Sequence, residues 1–221
     1  VWKDENLLAL MPTGMGKSLC FQFPAKIREG LVVVISPLIA LMMDQVEKLN
    51  NLDIAAKAIH TGLSSDEIEE ILYACESHEL KFLYVSPERL KSEAFLERIQ
   101  DLPISLLAVD EAHCISQWGY DFRPAYLSIA AIKEYLPNVP TIALTASATA
   151  MVKNDIVEKL QLNNPKIFFG SFQRENLAYQ VTEVHDKINF LIKLLKQHQG
   201  SSIVYCKSII ESIYLTSIVF K

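Results

Sequence analysis

The chain has 221 residues, of which 50% are hydrophobic, and this is enough to bury one good core and part of a second. No stretch approaches the roughly 20 consecutive apolar residues that a bilayer crossing needs, and the first residues lack the pattern of a signal peptide. The net charge of -5 gives no overall attraction to nucleic acid, so any contact with nucleic acid would have to come from local basic groups and backbone amides. We therefore expect a soluble cytosolic protein.

Short apolar runs alternate along the chain with longer segments of helical periodicity. The predicted strands are Leu7–Met11, Leu31–Ile35, Phe82–Val85, Leu106–Val109, Thr141–Leu144 and Ser202–Tyr205. The predicted helices are Lys17–Glu29, Leu38–Leu49, Ser65–Glu76, Pro87–Ile99, Tyr126–Leu136, Ala148–Leu160, Asp186–Gln197 and Lys207–Phe220. Nearly continuous apolar runs are typical of strands that are covered on both faces. The alternation predicts an α/β fold, with a parallel sheet flanked by helices on both faces.

The segment from residue 163 to 180 lacks a strong helical period and contains Pro165 and Gly170, so we expect it to include a link between two units. We assign residues 1–170 to a first lobe, 171–185 to an inter-lobe segment and 186–221 to the start of a second lobe. That last piece is too short for an independent core. Val1 is not an initiator methionine, and the final apolar stretch has no stop signal, so both ends are expected to be cuts through a longer protein.

The first predicted strand leads into a glycine-containing loop and then a helix, which is the order that phosphate binding requires. The candidate ATP-binding residues are Thr13, Gly14, Met15, Gly16, Lys17 and Ser18. Glycines let the backbone curl so that successive N–H groups point at phosphate oxygens, while Lys17 supplies a full positive charge and Ser18 can bind Mg²⁺. The general motif opens with glycine where Met11 stands here, so a glycine turn without phosphate stays open as the alternative.

Two acidic residues follow the strand Leu106–Val109 directly. Neighbours on a strand face opposite sides, so a turn at Asp110 and Glu111 gives these acids separate roles. Asp110 can then hold Mg²⁺, while Glu111 orients and activates the water that attacks the γ-phosphate of ATP. His113 would report the nucleotide state to neighbouring segments. The alternative is a solvated acidic helix start, and the phosphate loop upstream favours the catalytic interpretation.

The four cysteines, Cys20, Cys75, Cys114 and Cys206, lie far apart in the sequence. They show no paired spacing and no neighbouring histidine in ligand register. We therefore expect neither a disulfide framework nor a zinc site in this chain, and four reduced thiols.

The sequence after the acids is more specific. Residues 110–124, DEAHCISQWGYDFRP, closely resemble the aromatic-rich loop that marks the RecQ helicase family. Further segments agree with that family: Met11–Cys20, Ser36–Gln45, Ser86–Leu90, Ser171–Leu177 and Tyr205–Ser208. The resemblance covers practically the whole chain, and it accounts for Met11 because that family's phosphate loop begins with Met-Pro-Thr-Gly.

The resemblance implies a RecA-like P-loop NTPase fold followed by a truncated second RecA-like lobe. It implies an ATP-dependent 3′-to-5′ DNA helicase that uses ATP and Mg²⁺, acts on single-stranded and partly duplex DNA, and works in a bacterial nucleoid or a nucleus. It places the adenine-reading glutamine before Val1, and the arginine finger and the zinc-binding and winged-helix regions after Lys221. An arginine finger is worth about 10³–10⁵ in rate, so this chain alone is expected to bind nucleotide but hydrolyse it poorly.

In the aromatic-rich loop, the resemblance assigns Gln117, Trp118, Phe122 and Arg123 to DNA binding and to its coupling with hydrolysis. The rings of Trp118, Tyr120 and Phe122 offer faces on which bases can stack, and Arg123 can meet a phosphate. Gly119 permits the bend between them. The alternative is that Trp118 and Phe122 pack in the core.

Three further segments complete the predicted site. Ser36-Pro37 and Ser86 follow strands, and their exposed hydroxyl and N–H groups would suit a sugar–phosphate track. Thr145 and Ser147 correspond to the family motif that links hydrolysis to lobe movement. Two other functions stay open: a nucleotide-dependent DNA-binding module without motor activity, and an RNA helicase of the DEAH type, against which residues 116–124 argue.

Overall fold

The computed structural model describes residues 5–119, 121–171, 176–198 and 200–219. The chain divides into two compact units, Val1–Gln173 and Arg174–Lys221. In the described part, the first unit holds a seven-stranded sheet with its helices, and the second holds two helices. The lobe boundary at residue 170 and the inter-lobe segment 171–185 stay predictions.

The strands are β1 (Leu7–Leu10), β2 (Leu31–Ile35), β3 (Ala56–Ile59), β4 (Phe82–Val85), β5 (Ile104–Val109), β6 (Thr141–Thr145) and β7 (Lys166–Phe169). Their order in the sheet is β3-β4-β2-β5-β6-β1-β7, and every neighbouring pair is parallel. The helices are α1 (Leu19–Ile27), α2 (Ile39–Asn50), α3 (Ser65–Glu76), α4 (Glu93–Ile99), α5 (Ile129–Tyr135), α6 (Ala150–Lys159), α7 (Lys187–Gln197) and α8 (Ile209–Val219). The predicted parallel α/β fold is therefore confirmed.

Alternate residues of the central strands pack on opposite faces of the sheet. On β2, Val33 belongs to a buried cluster on one face and Val34 to a cluster on the other. Buried residues of α1 and α2 join the cluster of Val34, whereas those of α3, α4, α5 and α6 join the cluster of Val33. Helices thus cover both faces, and all five residues of β2 are buried.

Two predicted helices are split, each by an N-terminal 3₁₀ segment. Pro87–Lys91 and Pro124–Ser128 are 3₁₀ helices, followed by α4 and α5. Proline suits the first turn of such a segment because its missing N–H has no partner there. Before α4, Ser92 Oγ accepts the N–H of Phe95 at 3.4 Å, so the α-helix begins at this cap.

The structure adds two strands to those predicted and removes one. Ala56–Ile59 forms β3, which was not predicted, and Lys166–Phe169 forms β7 within the segment expected to be a link. Ser202–Tyr205 was predicted as a strand but is irregular and exposed. The described part of the second unit contains no strand with which it could pair, and unpaired strand backbone is left to solvent.

All strands of the sheet point the same way, so the segments that follow them meet at one edge. The phosphate loop follows β1, Ser36 follows β2, Ser86 follows β4 and Asp110 follows β5. This edge carries the predicted site. Across the described residues, no helix is long and apolar enough to span a bilayer.

Candidate nucleotide site and its coupling loop

The phosphate loop has the curled backbone that the sequence predicts. Gly14 and Gly16 have φ angles of 84° and 77°, in the left-handed region that glycine adopts without strain. Met15 N–H donates to Pro12 O at 3.3 Å, which closes the turn. The helix α1 begins at Leu19, two residues after the predicted start, because Lys17 and Ser18 still belong to the loop. Thr13, Gly14 and Met15 are exposed, so backbone and ligand can approach closely.

The acidic residues lie where the chain turns sharply at the end of β5. Asp110 is buried, and its N–H donates to Ile35 O at 2.9 Å, which continues the pairing with β2. Glu111 has a φ of 46°, an unusual left-handed conformation for a residue with a side chain. Its N–H donates to Asp110 Oδ1 at 2.9 Å. The predicted turn is present, so the two carboxylates do not simply alternate across a strand.

Glu111 lies between two positively polarised groups. Its Oε1 is 3.5 Å from Lys17 Nζ, and its Oε2 is 3.3 Å from His113 Nδ1. The bond from His113, together with the charge of Lys17, lowers the pKa of Glu111. Burial and the neighbouring Glu111 carboxylate raise the pKa of Asp110. The environment therefore shifts the pKa values of the two acids in opposite directions.

His113 joins the acidic motif to the segment after β6. His113 Nδ1 is 2.9 Å from Thr145 Oγ1, which donates to Ser147 O at 3.1 Å. His113 Nδ1 therefore lies within hydrogen-bond distance of the Thr145 hydroxyl and close to the Glu111 carboxylate. Met11 N–H donates to Thr145 O at 3.0 Å. The structure thus brings together His113, Thr145 and the start of the phosphate loop.

The aromatic-rich loop presents Trp118 to solvent. Trp118 is 66% exposed, so it is not a core residue. Gln117 is exposed as well, and Phe122 is half-buried. A Cβ added to Gly119 would lie 2.9 Å from His113 O, so this bend has no room for a side chain. A depression of about 310 Å³ is lined by His113 and Trp118 together with Ser147. Tyr120 lies outside the described residues.

Arg123 ties the loop to the segment after β2. Its Nη1 donates to Pro37 O at 2.9 Å, and its Nε and Nη2 donate to Asp121 Oδ2 at 3.2 and 3.0 Å. The predicted residues Arg123 and Pro37 are therefore in contact. Arg123 uses part of its donor set inside the protein, and its half-buried side chain leaves the rest near the surface.

The hydroxyls of Ser36 and Ser86 were predicted to be exposed, and this prediction is wrong. Both are buried, and Ser36 Oγ and Ser86 Oγ have no hydrogen-bond partner in the described structure. Ser36 N–H donates to Val85 O at 3.3 Å and Ser86 N–H to Ile59 O at 3.1 Å. These bonds extend the sheet by one residue beyond each strand, which places both serines inside the sheet's cover. Their predicted role on a sugar–phosphate track stays a prediction.

A histidine, a cysteine and an aspartate come together beside the loop. The side-chain ligand atoms of His113, Cys114 and Asp121 all lie within 4.8 Å of one another. The statement that no cysteine has a histidine in ligand register is therefore wrong for Cys114. Burial raises the pKa of the Cys114 thiol to about 12, and the thiol donates to Asp121 Oδ2 at 3.7 Å. Because Asp121 also pairs with Arg123, we describe this group as a hydrogen-bonded cluster.

Two contacts of the site were missed from sequence. Tyr126 is fully buried, and its hydroxyl donates to Asp110 O at 2.9 Å, directly behind the acidic turn. Ser116 Oγ donates to Asp155 Oδ2 at 2.6 Å. A tyrosine in an apolar run is normally a core residue, and a single aspartate on a helix is normally a surface residue. For this reason the sequence contains no indication that Tyr126 and Asp155 contact the site.

These features define a class of protein. A parallel sheet with a glycine loop after β1 and an acidic turn after β5 is the RecA-like form of a P-loop nucleotide-binding lobe. Residues 1–156 match the family model of the DEAD/DEAH box helicases, and the chain belongs to this family.

Within this family, the chain is similar to several DNA helicases. The chain is 42% identical over 205 residues to the ATP-dependent DNA helicase RecQ of Pasteurella multocida, which covers 92% of this chain and 32% of that protein. It is 41% identical to the probable ATP-dependent DNA helicase RecS of Bacillus subtilis, over 93% of this chain and 42% of that protein. The chain thus spans about a third of the length of RecQ from Pasteurella multocida.

Solved structures support the fold alone. The helicase MrfA aligns with a TM-score of 0.75 and 18% identity, over 99% of this chain and 36% of that one. The Hef helicase domain of Pyrococcus furiosus aligns with a TM-score of 0.58 and 23% identity, over 76% of this chain and 35% of that one.

Proposed function

We propose that this chain is the nucleotide-binding lobe of an ATP-dependent DNA helicase of RecQ type that translocates 3′ to 5′. The observation that carries the proposal is the contact of Lys17, on the phosphate loop, with Glu111, which His113 links in turn to Thr145. These contacts support a link from the phosphate loop through the proposed catalytic acid to the proposed coupling segment. The 42% identity to RecQ of Pasteurella multocida supports the RecQ type.

ATP phosphates would be bound by residues 13–18, through backbone N–H groups, the Lys17 charge and the start of α1. Ser18 and Asp110 are the residues that would hold Mg²⁺, which neutralises charge on the phosphates when it is bound. Asp110 fits that role because a buried carboxylate, whose charge is costly without a partner, gains from a cation.

Glu111 would act as the general base for ATP hydrolysis. It is partly exposed, ionised and held in place by Lys17 and His113. A base must be deprotonated to accept a proton from the attacking water, and a glutamate whose pKa is lowered is deprotonated at neutral pH. His113 contacts both the Glu111 carboxylate and the Thr145 hydroxyl, so it would transmit a movement of either group to the other.

Single-stranded DNA would stack on Trp118 and Phe122 and meet Arg123 and Gln117. The depression that Trp118 shares with His113 and Ser147 supports this role, because a base against the ring would lie beside the residues that contact Glu111. Comparing the stimulation of ATPase by DNA and by RNA in the full-length protein tests the choice of nucleic acid. Stronger stimulation by RNA would favour an RNA helicase.

The first test of the proposal is Lys17→Ala, with binding of a fluorescent ATP analogue to the 221-residue chain as the readout. Loss of one charge-assisted phosphate contact should weaken binding at least about tenfold. Lys26→Ala, which removes an exposed lysine from α1, is the matched control and should bind normally. Equal affinity of Lys17→Ala and the unmodified chain would exclude the phosphate-loop assignment.

A further inference from the structure

A polar network lies at the base of the aromatic-rich loop. Ser116 is fully buried and directly follows the 3₁₀ helix Ala112–Ile115. Its hydroxyl donates to Asp155 Oδ2 at 2.6 Å and accepts the backbone N–H of Trp118 at 3.2 Å. The single proton of the hydroxyl goes to Asp155, and a lone pair receives Trp118. A continuous chain of hydrogen bonds therefore runs from helix α6 to the backbone of Trp118.

Lys159 completes this network one turn further along α6. Its Nζ lies 3.1 Å from Asp155 Oδ2 and 3.4 Å from Ile115 O. The bond from Ser116, followed by the interaction with Lys159, lowers the pKa of Asp155, so the carboxylate is ionised at neutral pH. Hydrogen bonds to an ionised acceptor are about twice as strong as neutral ones. The Asp155 side chain is only 19% exposed, which limits competition from water.

Both ends of the network lead to the nucleotide site. The 3₁₀ helix before Ser116 begins immediately after Glu111, and α6 begins shortly after Thr145 and Ser147. These two parts of the chain are already joined by the bond between His113 and Thr145. The bonds from Ser116 to Asp155 and from Lys159 to Ile115 O join them again, at the base of the loop. Together these side-chain bonds restrain the loop base against α6.

We propose that Asp155 is a positioning residue for DNA-stimulated ATP hydrolysis, which fixes Ser116 and thereby the backbone that presents the exposed ring of Trp118. The inference rests on the proposed function, because it requires Trp118 to be a DNA contact. Asp155 acts through Ser116, whereas Glu111 is held by Lys17 and His113. Loss of the Asp155 carboxylate should therefore impair the stimulation of ATP hydrolysis by DNA and spare basal hydrolysis.

The first experiment measures the mobility of Trp118 without DNA. The chain has two tryptophans, so Trp2→Phe leaves Trp118 as the single reporter in the 221-residue chain. In that background Asp155→Ala should lower the fluorescence anisotropy and raise acrylamide quenching by about a factor of two, since the Ser116 hydroxyl that holds the Trp118 N–H loses its own partner. Glu158→Ala, an exposed acid on the same helix, is the control. An unchanged anisotropy in Asp155→Ala would overturn the proposal.

The second experiment measures ATPase in the full-length protein, with and without single-stranded DNA. Asp155→Ala should keep basal hydrolysis within about twofold and lose about five- to tenfold of the stimulation. Asp155→Asn can still accept the Ser116 hydrogen bond but loses its charge. Its stimulation by DNA should lie between that of Asp155→Ala and that of the unmodified protein, and it replaces the alanine variant if that variant folds poorly. Full stimulation of both variants would refute the positioning role. Absence of stimulation in the unmodified protein would instead refute the proposed function.

Discussion

Glu111 shows how one residue conformation organises the site. A left-handed φ is disfavoured for a residue with a side chain, and at functional sites such a conformation is held by its surroundings. Here the surroundings include the bond from Glu111 N–H to Asp110 and the contacts of its carboxylate with Lys17 and His113. The turn buries Asp110 and leaves Glu111 partly exposed, which gives two adjacent acids different environments.

Glu111→Gln in the full-length protein should separate binding from hydrolysis. Glutamine keeps the size of the side chain and an oxygen for Lys17, but it cannot take a proton from water. We expect affinity for an ATP analogue to change by less than about threefold, while the rate of hydrolysis falls by about 10²–10⁴. Glu97→Gln, an exposed glutamate on α4, should behave normally in both assays. Near-normal turnover in Glu111→Gln would mean that another group activates the water.

For single residues, the sequence predicts the chemical role of a side chain better than it predicts the exposure of that side chain to solvent. The glycine loop and the acidic pair could be found because their spacing from the strands is tied to their chemistry. The burial of Ser36 and Ser86 could not, because it depends on how far neighbouring strands extend. Asp155 gave no signal either, since its partner Ser116 is 39 residues away.

Among the elements, the strands that were missed are the two edges of the sheet. β3 and β7 stand at the ends of the strand order and pair with a neighbour on one side only. Lys57 interrupts the apolar residues of β3, and Lys166 leaves only three apolar residues in β7, so neither strand has the long apolar run of a central strand. By contrast, β2 is central and entirely buried, and its predicted limits are confirmed.

The aromatic-rich loop behaves as an element of its own, anchored at its base and exposed at its tip. Trp118→Ala in the full-length protein should reduce DNA-stimulated ATPase about tenfold or more, because stacking of one base is worth about 1–3 kcal/mol. Basal ATPase and thermal stability should barely change, since Trp118 is 66% exposed. A buried ring would instead cost about 3–5 kcal/mol of stability on truncation.

The matched control for that variant is Tyr73→Ala, since Tyr73 is 67% exposed on α3. It should leave both rates and the melting temperature unchanged. Melting temperature, basal rate and stimulated rate should be measured on one preparation of each protein. A large fall in melting temperature with parallel loss of both rates in Trp118→Ala would exclude the coupling role of this residue.

At the scale of the whole molecule, the strand order assembles the site. Lys17 and Glu111 are 94 positions apart in the sequence, and they meet because β1 and β5 both pair with β6. The alternation of elements predicts a parallel sheet, but it does not determine which strands are neighbours. That order depends on the packing of all the helices at once, and for this reason the contacts of His113 with Thr145 and of Arg123 with Pro37 were not predicted as pairs.

The two units differ in the number of side chains that they bury, and this difference leads to a prediction about truncation. The sheet of the first unit has clusters of buried residues on both faces, whereas α7 and α8 of the second contain no buried residue. A chain of residues 1–173 should therefore unfold with a stability within about 1 kcal/mol of the 221-residue chain, a shift of about 2–4 °C in melting temperature. Its affinity for an ATP analogue should also be unchanged.

The control for this truncation is a chain of residues 1–164, which lacks β7. That strand pairs with β1 along Leu7–Leu10, directly before the phosphate loop, so its loss exposes the backbone of β1 to solvent. We expect a melting temperature lower by at least about 5 °C and weaker nucleotide binding. Circular dichroism melts and analogue titrations of the three chains decide the outcome. If residues 1–173 melt as low as residues 1–164, the first unit depends on the second for its stability.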